Sequence, residues 1–171
     1  GWAAMQPNFD KSFVGLTGPA FGVLLEHGRI GELARATYSR HPAYLRPDAP
    51  LMPATFLASA GYAFGYTLER PGDTPLKSLG LENASTLDAE IGFNFYGELP
   101  VAGASLTATT RIADMFEKTG ARAGRMLFWK AVTDFRDDSG RLAADFFTTS
   151  VLPERMPAMK GSHASGARRY A

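Results

Sequence analysis

Residues 55–68, TFLASAGYAFGYTL, carry no charge, and the first charged side chain after them is Glu69. Thr55 is placed to cap a helix here, because its hydroxyl can accept an amide of the first turn. Apolar side chains then fall on every side of that helix, which is stable in water only when the rest of the chain covers it. At about 1.5 Å per residue the segment is also too short to cross the ~30 Å hydrocarbon core of a bilayer. The sequence therefore predicts a central buried helix. Ala54, Ala58, Gly61 and Gly65 form a stripe of small residues along it, while Phe56, Ala60, Ala63 and Phe64 fill volume on other faces. Glycine costs about 1 kcal/mol relative to alanine inside a helix, so close packing has to offset two of them.

After this helix the apolar period changes from near four to two. Ala89, Ile91, Phe93 and Phe95 alternate with Asp88, Glu90 and Asn94 in a strand over 87–96. Leu99 to Gly103 reads as a turn, and alternation resumes over 105–117 through Leu106, Ala108, Thr110 and Ile112. A hairpin closes between Gly120 and Gly124, and the next strand alternates through Leu127, Trp129, Ala131 and Thr133. Asp137-Asp138-Ser139-Gly140 reverses the chain into a last strand over 142–152. Before the central helix, residues 21–26 read as a short strand and residues 28–38 as an amphipathic helix with Ile30, Leu33 and Ala34 inward. Pro42, Pro47, Pro50 and Pro53 make residues 39–54 a covering loop.

An all-apolar helix and an antiparallel sheet with one apolar face have a simple packing solution, in which the curved sheet wraps the helix. This is the α+β hot-dog arrangement. With 171 residues and 45% hydrophobic content, the chain suits one such domain, expected over residues 15–152, with an extension at 1–14 and a flexible tail at 153–171. A net charge of +1 calls for neither nucleic acid nor a membrane surface. The absence of cysteine excludes disulfides, a thiol nucleophile and a thiolate metal site, and a cytoplasmic location is expected.

Four segments in order resemble the MaoC-like hydratases and dehydratases, closest to the N-terminal half-domain of their two-part members. They are LEHGRIGELARA at 25–36, HPAYL at 41–45, MPATF at 52–56, and LPVAGASLTATTRI at 99–112. The resemblance implies an acyl-thioester ligand. It also implies hydration of a 2-enoyl thioester, or dehydration of a 3-hydroxyacyl thioester, by an Asp and a His in a D-x-N-P-x-H motif that move the protons of a water. Aligning the motif's proline on Pro42 puts Ser39 at the Asp, His41 at the Asn and Tyr44 at the His. Serine is no carboxylate, and a tyrosine with an ordinary pKa of about 10 is a poor base near neutrality. The chain thus resembles the half that lacks the catalytic pair and shapes the acyl passage.

On that reading the substrate-binding candidates are Ser39, Tyr44, Thr55, Phe56, Gly61, Tyr62 and Gly65, with Tyr66 a further hydroxyl. The amides of Thr55 and Phe56 at a helix start would favour a thioester carbonyl, and glycines would let a ligand approach the backbone. Tight helix-on-sheet packing explains the small-residue stripe equally well. His41 and Tyr44 are the candidates for residual acid–base chemistry, although a loop histidine more often bonds a backbone group. His27 is expected to face solvent. Lys118, Arg122 and Arg125 surround one hairpin and would meet the phosphates of coenzyme A or a carrier protein, or simply face solvent. No metal site is expected, and no cofactor beyond the coenzyme A or phosphopantetheine of the substrate.

Three functions stay open at this stage. The chain is a non-catalytic half that pairs with a catalytic MaoC-like subunit, a self-sufficient hydratase or dehydratase with a rearranged site in a homodimer, or a hot-dog thioesterase. The last ordinarily needs a carboxylate near the central helix, and residues 55–68 offer none. An open sheet edge predicts a dimer, homomeric or heteromeric.

Overall fold

The computed structural model describes residues 9–59 and 86–155. Its elements are strand β1 (Phe21–Leu24), helix α1 (His27–Ala36), and strands β2 (Leu87–Phe95), β3 (Ser105–Gly120), β4 (Gly124–Arg136) and β5 (Leu142–Pro153). Short 3-10 turns lie at Lys11–Phe13, before β1, and at Pro42–Tyr44, after α1. The strands form one antiparallel sheet in the order β1-β3-β4-β5-β2. β3, β4 and β5 follow one another through hairpins as the alternation predicts, whereas β2 crosses to pair with β5 at the far edge. Among the described residues no helix is long and apolar enough to cross a membrane.

Strand pairing explains which side chains share the inner face. Phe95 and Phe135 both pair with Ala144, Ala108 pairs with Phe135, and Phe21 pairs with Ala108, giving one row across the whole sheet. These residues join Val23, Leu25, Ile30, Met52, Phe56, Leu57 and Leu106 in the larger core, closed by α1 and by the start of the second helix at residues 56–59. A second cluster lies further along the strands, made by Ile112, Met115, Leu127, Trp129 and Leu152, with Phe9 and Phe13 packed against it. A bulge between Ile112 and Asp114 lets Ile112 pair with Ala131 and Met115 with Trp129, so both point inward although three residues apart.

Residues 9–14, read above as an extension, therefore lie against apolar core. The helix expected at residues 28–38 ends two residues earlier, at Ala36. Strand β2 departs from simple alternation at Ala89, where its register to β5 shifts, and Ile91 is 48% exposed at the sheet edge. The central helix beyond Ser59 and the tail from 156 onward lie outside the described residues.

Candidate functional site

The covering loop is fixed by the way α1 ends. The Ser39 amide donates to the Ala34 carbonyl (2.8 Å) and the Tyr38 amide to Arg35 (3.0 Å), the paired bonds of a Schellman cap. Such a cap needs a left-handed residue, and here a tyrosine rather than glycine takes it: Tyr38 has φ 54° and is 92% exposed. The chain then enters the Pro42–Tyr44 turn, where His41 is the N-cap. Its Nδ1 accepts the Ala43 amide at 3.3 Å, while its own amide donates to Ser39 Oγ at 3.4 Å. The Tyr44 amide donates to the His41 carbonyl (3.1 Å), and the two rings sit 5.1 Å apart at 39°. A bond from the Leu51 amide to the Ala43 carbonyl (2.8 Å) ties the turn to the chain leading into the second helix.

The structure thus brings Ser39, His41 and Tyr44 into one small constellation. His41 spends one ring nitrogen on the backbone, leaving Nε2 for any outside partner. Tyr44 and Ser39 are half-buried and His41 is exposed. Residues 39–44 contain no carboxylate. His27 is exposed as expected, with Nε2 2.9 Å from the Pro47 carbonyl.

Thr55 stands exposed just before residues 56–59. The Phe56 amide, expected to be open to a ligand carbonyl, instead donates to the Pro53 carbonyl at 2.9 Å, because the helix begins with a tight 3-10 turn. The Phe56 ring is buried in the larger core. Gly61, Tyr62, Gly65 and Tyr66 lie outside the described residues.

The hairpin does not gather its cations on one face. Arg125 forms a bidentate pair with Glu117 (Nε to Oε2 2.9 Å, Nη2 to Oε1 2.6 Å). This hydrogen bonding holds the Glu117 carboxyl below its ordinary value and raises the Arg125 guanidinium. Lys118, one residue along β3 and so on the other face, lies over the stacked Phe116 and Phe128 rings at 5.2 and 5.6 Å. Arg122 sits in the turn between the strands.

Sequence reading missed a polar network on the outer face. The buried Asp145 accepts from Asn94 Nδ2 (2.9 Å) and from the Tyr96 hydroxyl (2.7 Å), and it pairs across the strands with Asp134, which accepts from Arg111 (2.8 Å). The bond to Asp145 pushes the Tyr96 hydroxyl up. All these groups sit at polar parity in their strands, which is the usual mark of solvated positions, and only register brings them together. Among the described residues no cluster of three His, Asp or Glu side chains could hold a metal ion.

Residues 12–146 match the family described as FAS1-like, dehydratase domain region. The chain belongs to this family. The chain resembles a subunit of a solved HadBC (3R-hydroxyacyl-ACP dehydratase) complex from Mycobacterium tuberculosis, at 20% identity and TM-score 0.61, over 81% of this chain and 96% of that one. It resembles a chain of the ChsH1–ChsH2 complex from the same organism at 14% identity and TM-score 0.67, over 82% and 87%. A MaoC-like dehydratase superposes at 18% identity and TM-score 0.64 over 82% of this chain but 42% of its own, so the present chain spans less than half of that one. These likenesses establish the α+β hot-dog fold of MaoC-like proteins. Among curated proteins none matches the sequence.

Proposed function

We propose that this chain is the non-catalytic, substrate-binding half of an (R)-specific enoyl-thioester hydratase or 3-hydroxyacyl-thioester dehydratase, working beside a catalytic MaoC-like subunit. The observation that carries this reading is the loop after α1. Where the family pattern calls for a carboxylate and an imidazole, the chain presents Ser39 and Tyr44, and the one histidine of the loop uses Nδ1 as a helix cap. A Ser, a capped His and a Tyr can hold a ligand by hydrogen bonds, but they do not make the paired base and acid that water addition needs. The partnered role is supported by the two similar structures that are complexes of different subunits, and by strand β2, whose outer edge is unpaired among the described residues. The acyl group would arrive on coenzyme A or on the phosphopantetheine of a carrier protein, and the complex would form by pairing along β2.

The test is hydration of a short 2-enoyl-coenzyme A by the purified chain alone and with a catalytic MaoC-like subunit, followed as loss of the enoyl absorbance. The expected result is turnover only in the assembled complex. Turnover by the chain alone that is abolished by His41→Ala or Tyr44→Phe would overturn the reading in favour of a rearranged active site in a homodimer.

A further inference from the structure

The inner face of the sheet carries two apolar clusters, and different described segments pack against them. The larger is sealed by α1 and the start of the second helix. Against the smaller, Ile112, Met115, Leu127, Trp129 and Leu152, the partly buried Phe9 and Phe13 pack among the described residues. The smaller cluster is almost fully buried, down to 0% exposure at Ile112, yet the Lys11–Phe13 turn packed against it has no buried residue of its own. The turn is capped internally by Asp10, whose Oδ1 accepts the Ser12 amide at 2.8 Å. The segment behind it is fastened to β3 by three edge bonds: Gly15 amide to Ile112 carbonyl (2.8 Å), Gly18 amide to Thr110 carbonyl (2.8 Å) and Ile112 amide to Leu16 carbonyl (3.0 Å). A segment with few buried contacts and edge-only hydrogen bonds opens locally at low cost.

We propose that residues 9–18 form a displaceable strap whose two phenyl rings occupy, in the free chain, the place of an acyl tail. The proposal rests on the thioester-binding reading and adds its regulation. The same face opens toward β2 along the row Ile112, Ala131, Thr148, Ile91, whose last member is half-exposed. A methylene chain entering from that edge meets Trp129 and Ile112 once the rings withdraw, and replaces their apolar contact with its own. The hydrogen-bonded pair Thr110 and Thr133 lies between the two clusters, since Thr110 stands on β3 between Ala108 of the larger and Ile112 of the smaller. Because the strap and the tail compete for one place, the free chain binds acyl groups more weakly by the fraction of time that the strap is open.

Trp129 reports on the site directly. With Trp2→Phe it is the sole tryptophan of the chain, and a terminally brominated dodecanoic acid seated beside it quenches its fluorescence. Phe9→Ser/Phe13→Ser in that background is expected to shift quenching to about tenfold lower ligand concentration. With the strap unaltered, hydrogen exchange at the Gly15 and Gly18 amides is expected to accelerate on ligand addition, a readout independent of whether the double variant folds. Calorimetric binding of the fatty acid without Trp129 quenching, with the Gly15 and Gly18 amides unchanged, would overturn the strap and leave acyl binding standing. No binding to either protein would remove the acyl-binding reading together with the strap.

Discussion

The hydroxyls of Thr110 and Thr133 meet at 2.8 Å, directly opposite one another on β3 and β4 and 6% and 9% exposed. Each satisfies the other in a place closed to water. Thr110→Val or Thr133→Val alone leaves a buried hydroxyl with no partner and should cost about 1–3 kcal/mol, whereas the double valine variant, which removes both polar groups at constant shape, should be nearly neutral. Urea denaturation of the four proteins measures the coupling as a double-mutant cycle. Additive losses would mean that the pair is not the partner set drawn here.

Tyr38 holds the left-handed position of the α1 cap without covering anything, at 92% exposure. A side chain there works against its own backbone, and glycine does not. Tyr38→Gly is therefore expected to stabilise the fold by about 1 kcal/mol, read as a rise of about 3 °C in Tm.

Gly92 faces Phe147 across β2 and β5, and a Cβ at this position would run into the ring. The Lys130 ammonium lies over the same ring, 4.0 Å from its centre. Gly92→Ala is expected to destabilise by about 1–3 kcal/mol through overpacking. Adding Phe147→Leu should recover most of that loss in thermal melts, since it removes the obstructing atoms.

These residues also show where sequence reading stops. The alternation of Leu106, Ala108, Thr110 and Ile112, and of Leu127, Trp129, Ala131 and Thr133, predicts an inner face that the structure buries throughout, because a period of two is a local property of the backbone. The bulge at Ala113 has no marker in the chain, and neither does the placement of β2 beside β5, since pairing is decided by contacts distant in sequence. Phe147 breaks the parity rule, and Asp145 is buried at a polar position, for a common reason: each is accommodated on the outer face by a cross-strand partner, Gly92 for one and Asn94 with Tyr96 for the other. In the candidate site, the grouping of Ser39, His41 and Tyr44 follows from proximity in sequence. The loss of the Phe56 amide to Pro53, and the separation of Lys118 from Arg125, depend on turn geometry and strand parity that residue types alone do not encode.

Asp137 organises the β4–β5 turn, accepting from the Ser139 hydroxyl (2.6 Å) and amide (3.0 Å) and from Arg141. The Ser139 hydroxyl is the main cause that holds its carboxyl below the ordinary 3.8, with the Arg141 donors adding to it. A folded-state value below the unfolded one means that the carboxylate stabilises the fold above the ordinary carboxylate range, and that this contribution is lost as pH falls through the lowered value. Asp137→Asn should accordingly lower Tm at neutral pH, and the gap to the parent should close well below about pH 4. A gap that is constant over the acid range would assign the effect to turn geometry alone.

His41 accepts the Ala43 amide through Nδ1, so in its neutral form the ring proton belongs on Nε2. Nitrogen-15 spectra of the imidazole in mildly alkaline buffer should show that tautomer in excess. The cap also separates structure from chemistry. His41→Ala, which has no acceptor, should cost about 0.5–1 kcal/mol, while His41→Asn, which keeps a capping oxygen, should cost little. If the ring serves only the turn, His41→Asn leaves turnover of the assembled complex within about twofold. A loss of about a hundredfold or more with the fold intact is the scale of a missing acid–base group, and would place the imidazole in the reaction, with Nε2 as its working atom.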